Sequence, residues 1–398
     1  MRRWAKCARA SIVLALGILA TTTVAMAGGH TPDCDATAQR LVNECAAIQE
    51  GDVVWIHGNT NDIELLESVA VHVRKRGAFP LLSITTDDLT RRMYEEVPAK
   101  YDTQKPELGL KLAGMIDAVI SVSAEENPAL LADVPPERIA AHGKTSEQVY
   151  KVLQSRKVRQ VNLGNNLYPT TALAKQFGIS RDELATVFWN GVNIDYRKLQ
   201  RAADTVQTYL ASGNAVRITN KNGTDISMQI KRRPVHVNDG VISSDDIRSG
   251  GAACQVWLPA GEVYLAPIPG TATGTVVVDR HLFRGQEIRK LRMDFRDGKL
   301  TSMTAKSGLE PLRKFYDACG PGKEEFAAID IGINPNVRIP PDSRMTGWMA
   351  SGMITVGVGM NTWAGGENTS EFALFTHLPG STLIVDGRTL VDEGVLKP

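Results

Sequence analysis

The sequence predicts an α/β N-terminal domain built on a parallel sheet, followed by a mostly antiparallel, β-rich C-terminal domain. Three observations carry this. Short apolar runs alternate with amphipathic stretches up to about residue 165, helical periodicity dominates to about Leu210, and from Ala215 the text becomes short alternating strands separated by glycine turns. A chain of 398 residues also exceeds what one small core needs. The boundaries drawn are 1–27 as a leader, 28–212 as the α/β domain with a helical extension, and 213–398 as the β-rich domain.

Within the first domain, Asp52 to His57 (DVVWIH) reads as a buried strand, and Phe79 to Thr85, Ala118 to Val122 and Arg159 to Leu163 read as strands. Asp62 to Lys75, Asp88 to Glu96, Glu107 to Leu112 and Lys144 to Gln154 read as the helices between them. Helices follow from Thr170 to about Leu210, with Ser180 as an N-cap before the amphipathic run from Arg181. In the second domain, AVRITNKNGTDISMQI, GEVYLAPI, GTVVVDR, KLRMDFRDGKLTSMTA, MITVGVGM and STLIVDGRTLV are strand text. Asn222-Gly223, Asp297-Gly298 and Asp386-Gly387 supply the left-handed positions of tight hairpins.

The first residues carry Arg2, Arg3, Lys6 and Arg9, then an apolar run from Ser11 to Ala20, then Ala25-Met26-Ala27 before Gly28. A basic head, a short apolar core and small residues at the cut site describe a secretory signal peptide, so the expectation is an exported protein, periplasmic or secreted, with no stable membrane span after cleavage. Removing the leader takes away four basic residues and no acid, which turns the formal charge of +1 mildly negative. No basic footprint for nucleic acid remains. Cys34, Cys45, Cys254 and Cys319 stay in the mature chain, and export permits nearest-neighbour bridges, Cys34 to Cys45 and Cys254 to Cys319.

Several chemistries are excluded. Gly143-Lys144-Thr145 lacks the glycine of a phosphate-binding loop, since Arg138 stands at that place; His57-Gly58-Asn59-Thr60 has no dinucleotide-binding turn; neither a G-x-S-x-G elbow nor an H-E-x-x-H helix occurs. The stretch LPAGEVYLAP is more informative. Pro259 and Gly261 form a bend that would aim Glu262, at the first position of a strand, into a cleft.

Read in order, the EGDVVWIHG opening, YPTTALAKQFGIS, NGTDIS, LPAGEVYLAP, the G-I-N-P stretch from Gly332 to Pro335, GGENTS from Gly365 to Ser370, and Asp386-Gly387 resemble the aminopeptidase T (leucyl aminopeptidase-like) metallopeptidase family from about Cys45 to the C-terminus. The resemblance implies exopeptidase chemistry: two divalent metal ions (zinc, cobalt or manganese), held by carboxylates and histidines of the C-terminal domain, activate water against the first peptide bond. It also makes a homodimer an expectation. The family's first glutamate ligand matches Glu262, whereas its other four ligand positions fall on Ala328, Thr355, Ala373 and Phe375. Alternate positions on a strand share a face, so Asp330, Glu371 and His377 are the nearby donors that could substitute as relocated metal ligands. Two functions stand open: a metalloaminopeptidase with an unusual site around Glu262, Asp330 and His377, or a non-catalytic descendant, without metal, that binds a peptide or small molecule in the old cleft. A ring-opening dioxygenase of related fold would need histidines on iron and meets the same loss of ligands.

Overall fold

The computed structural model describes residues 33–123, 127 and 129–397; the leader of residues 1–27 lies outside them. Helix α1 (Cys34–Arg40) runs into one π-turn ending at Cys45 and packs on α2 (Ile63–Lys75). Strands β1 (Val53–Asn59), β2 (Phe79–Thr85), β3 (Ala118–Val122) and β4 (Arg159–Leu163) alternate with α3 (Asp87–Glu95), α4 (Glu107–Ala113) and α5 (Pro136–Ser155). They pair in parallel in the order β2-β1-β3-β4. Val54, Ile56, Ala118, Ile120, Val161 and Leu163 supply its buried face. Helix α5 begins eight residues ahead of the expected Lys144 because Pro136 occupies its first turn, where a missing N–H costs nothing, and Gly143 is carried within the helix.

Helices α6 (Thr171–Phe177), α7 (Arg181–Val192) and α8 (Tyr196–Ser212) follow. Ser180 caps α7 as expected: its hydroxyl accepts from the Glu183 N–H while the Glu183 carboxylate accepts from the Ser180 N–H. Strands β5 (Ala215–Asn220) and β6 (Thr224–Gln229) form the Asn222-Gly223 hairpin, and β7 (His236–Asn238) and α9 (Ser244–Ser249) come next. Then β8 (Gln255–Leu258) leaves the C-terminal half of the sequence to pair in parallel with β4, making the fifth strand of the first sheet. Pro259, Ala260 and Gly261 carry the chain from there into β9 (Glu262–Leu265) in another sheet.

The remaining strands are β10 (Thr273–Phe283), β11 (Gln286–Arg296) and β12 (Lys299–Thr304), then β13 (Phe326–Gly332) after helix α10 (Glu310–Ala318), then β14 (Ile354–Gly359), β15 (Ala373–His377), β16 (Thr382–Val385), β17 (Arg388–Asp392) and β18 (Val395–Leu396). They complete an antiparallel sheet of order β12-β11-β10-β6-β5-β16-β17-β18 and a five-stranded one of order β15-β14-β13-β9-β7. Strands β13 and β14 are buried along their whole length, Asp330 and Thr355 included.

The cysteine pairing is corrected. All four described cysteines are free thiols. Cys34 and Cys45 sit at opposite ends of one helical run, about 16 Å apart at 1.5 Å per residue, well beyond disulfide reach. Cys254 leads into β8 of the parallel sheet and Cys319 follows α10, so they do not share the β-rich body that the sequence suggested. Among the described residues no helix is long and apolar enough to cross a membrane.

Candidate ligand cleft

A cavity of about 1200 Å³ opens where the carboxyl ends of β3, β4 and β8 meet one face of the five-stranded sheet. Clefts outside the carboxyl ends of parallel strands are the usual ligand sites of open α/β sheets. Here the β8-to-β9 bend places Glu262 between the two sheets. Gly261 makes the bend possible: its φ is 130°, and a Cβ there would lie 2.5 Å from Asn334 Cβ. The Asn334 side chain ties the turn by donating to the Ala260 carbonyl at 2.6 Å and the Gly191 carbonyl at 3.1 Å.

Register fixes what faces the cavity. Directly opposed residues on antiparallel strands share a face. One row crosses the sheet as His236 (β7), Tyr264 (β9), Asp330 (β13), Thr355 (β14) and His377 (β15). The row before it is Asn238, Glu262 and Gly332, and the row after is Ala328, Gly357 and Phe375. Glu262, Asp330 and His377 therefore line one cavity. Glu371 does not belong to it: it precedes β15, and its carboxylate accepts from the Gly320 N–H.

Two amides hold Glu262, and the other four family positions carry no carboxylate or imidazole. Asn165 donates to Glu262 Oε1 at 3.1 Å, and Asn238 donates to Oε2. Both amides are oriented by the backbone, Asn165 toward the Pro259 carbonyl and Asn238 toward the Trp257 carbonyl, so N–H groups approach both carboxylate oxygens. Where the family's second glutamate falls, Ala328 packs in an apolar cluster with Tyr264, Ala266, Ala327, Ala364, Trp257 and Trp363. Thr355 Oγ1 is hydrogen-bonded to His377 Nδ1 at 2.8 Å. Asp330 and His377 are two strands apart, about 9.5 Å at the spacing of a sheet. Among the described residues no three His, Cys, Asp or Glu side chains come together to hold a metal ion. This donor set does not fit a pair of divalent ions, which needs several anionic or imidazole ligands converging at about 2 Å.

Burial dominates the electrostatics. Desolvation pushes the Glu262 carboxyl up to about 7, against the pull of the Asn238 and Asn165 amides. Asp330 is raised well above the carboxylate range, first by desolvation and then by the neighbouring Glu262 charge, and its Oδ1 is buried without a hydrogen-bond partner. Burial and mutual repulsion thus both disfavour the doubly charged pair. Burial lowers His377 to about 3 and His281 to about 4, so both rings are neutral there.

Aromatic side chains cluster around Phe375, where one of the family's ligand positions falls. Phe375 lies over Gly357, whose Cβ would stand 2.9 Å from the ring. Trp348 packs against it at 4.7 Å between ring centroids and Trp363 at 5.3 Å. Trp363 stands at 84° to both Trp348 and Trp257, 6.1 Å from each, and lies 5.1 Å from Tyr264. Sequence reasoning missed Asn165, Asn238, Tyr264 and the three tryptophans, because their shared site is set by long-range strand order.

The model of the thermophilic metalloprotease (M29) family matches residues 31–318. The chain belongs to that family. The match stops short of β13, so the strands bearing Ala328, Thr355, Ala373 and Phe375 lie beyond it. Aminopeptidase 2 of Geobacillus stearothermophilus is 24% identical over 302 residues, covering 72% of this chain and 73% of the relative. Wild-type AmpT from Thermus thermophilus superposes with a TM-score of 0.70 at 16% identity, covering 92% of this chain and 99% of that one. The 2,5-dihydroxypyridine dioxygenase of Pseudomonas putida KT2440 superposes at 0.57 with 14% identity over 92% and 96% of the two chains. These likenesses establish the two-part fold, parallel sheet first and antiparallel sheets after it.

Proposed function

We propose that this chain is an exported, non-catalytic member of the M29 family that binds a small molecule or peptide in the cleft its relatives use for hydrolysis. The observation that carries the reading is the lining around Glu262: where the family's other four ligands fall, this chain has Ala328, Thr355, Ala373 and Phe375 in place of carboxylates and imidazoles, and among the described residues no three His, Cys, Asp or Glu side chains come together. A peptidase of this family needs a metal to polarise the scissile carbonyl and activate water. Retention of a large cavity with buried polar atoms, without the donors for that chemistry, suits binding.

The competing reading, an aminopeptidase using zinc, cobalt or manganese, rests on family membership. Incubating the protein with unblocked peptides and each metal separates the two. The binding reading expects no release of N-terminal residues at any metal concentration, and metal-dependent release sinks it. Sedimentation of the mature protein tests the homodimer that the resemblance implies.

A further inference from the structure

Six tryptophans occur in the chain, and three of them, Trp257, Trp348 and Trp363, line this one cavity. They are half-buried, with Trp363 perpendicular to each of the other two, so they form a corner of indole walls open to the cavity instead of a stacked core. Phe375 closes the corner beside Trp348 and Trp363. Beneath these walls, on the same sheet face, lie the carboxyls of Glu262 and Asp330 and the hydroxyl of Tyr264. Asp330 is 2% exposed and Tyr264 1%, and Asp330 Oδ1 and the Tyr264 hydroxyl have no hydrogen-bond partner. Buried polar atoms left unpartnered in a native fold call for an explanation, and both residues border the cavity.

Resting on the binding reading above, the geometry points to an organic cation, an alkylated ammonium head, as the ligand class of this cleft, seated against the Trp257, Trp348 and Trp363 corner with the Glu262 and Asp330 carboxyls behind it. Indole faces carry negative quadrupole potential and carboxyl oxygens are acceptors, so both parts of the lining favour a cation and disfavour an anion. A neutral aromatic ligand would match the tryptophans but leave the acids facing it unanswered. A small hydrated metal ion would match the acids but gain little from apolar walls, whereas an alkylated ammonium is a weakly hydrated charge with an apolar surface. Basic side chains also border the cavity, yet they lie off the five-stranded sheet. Arg280 and Arg289 pair with Glu287, and Lys290 pairs with Asp279, on the β10–β11 hairpin; Arg284 at its turn lies over the Phe283 and Phe315 rings, Arg344 donates to the Lys175 carbonyl, and Lys306 follows β12. The aromatic corner belongs to other elements: the start of the β8–β9 segment, the stretch before β14, and the turn after it.

The test compares choline with its uncharged isostere 3,3-dimethylbutan-1-ol on the full mature protein, by calorimetry and by tryptophan fluorescence at constant ionic strength. The expected result is saturable binding of choline with tryptophan quenching, and binding of the isostere weaker by about tenfold or more. Trp348→Leu and Trp363→Leu should each weaken choline by a similar factor, while Trp348→Phe, which keeps a π face, retains most of the affinity. Circular dichroism and melting temperature confirm that each variant is folded. Equal binding of choline and the isostere overturns the cation inference and leaves a binding cleft. Binding of a neutral ligand or peptide with no response to choline does the same. Stoichiometric metal with release of N-terminal residues overturns the binding reading itself.

Discussion

Glu262→Gln removes a buried carboxyl whose folded pKa is raised to about 7 from an ordinary 4.5, with desolvation as the main cause. A group raised on folding contributes stability that is fully present below its unfolded pKa and lost as pH rises through its folded one. The window is therefore pH 4.5 to 7. At about 1.4 kcal/mol for each tenfold displacement of the proton equilibrium, the wild-type protein should lose about 3 kcal/mol across it from this residue alone. The glutamine variant should not. Asp330 adds in the same sense, since part of its elevation comes from the Glu262 charge and disappears with it. His281 and His377, both lowered, contribute stability that is lost as pH falls below their ordinary value, but they remain in both proteins and cancel in the difference. Glutamine brings a fixed cost as well, because Asn165 and Asn238 both donate and its own NH2 must face one of them, about 1 to 3 kcal/mol independent of pH. The assay is urea unfolding of both proteins at half-unit steps from pH 4 to pH 8. The variant's relative stability should improve by about 3 kcal/mol between the two ends. Parallel curves would refute the desolvated carboxyl.

Gly261→Ala should destabilise the protein by about 2 to 4 kcal/mol, because it combines a left-handed φ with a Cβ driven into Asn334; an unchanged urea midpoint would contradict the bend that aims Glu262. Thiol titration of the denatured, unreduced mature protein should find four free cysteines, and two or none would restore a bridge. N-terminal sequencing of exported material should start at Gly28 or within a few residues, and an intact Met1 would replace a cleaved leader with a retained one.

Much of the fold was legible because it is local. The ranges 79–85, 118–122 and 159–163 coincide with β2, β3 and β4, and the three hairpin turns fall at Asn222-Gly223, Asp297-Gly298 and Asp386-Gly387, since short apolar runs and left-handed turn positions are written in neighbouring residues. Helix α5 was read only from Lys144, whereas it starts at Pro136 and carries Gly143 inside it. The transfer of β8 into the parallel sheet was not legible, because Gln255–Leu258 reads the same whichever sheet it joins. The site divides likewise. Pro259-Ala260-Gly261 announced Glu262, and period-two spacing put Asp330 and His377 on its face, but Glu371 fell outside the strand. The clamp of Asn165 and Asn238 and the tryptophan corner depend on strand order and on loops far apart in the chain.

The central claim is that a member of a metalloprotease family has lost the means to hold its metals. Elemental analysis of protein purified without chelator, after incubation with zinc, cobalt or manganese and desalting, tests it most directly. The account predicts well under one tightly bound ion per chain, unchanged in Glu262→Gln. One or more ions per wild-type chain, lost in Glu262→Gln and accompanied by release of N-terminal residues from peptides, would contradict it.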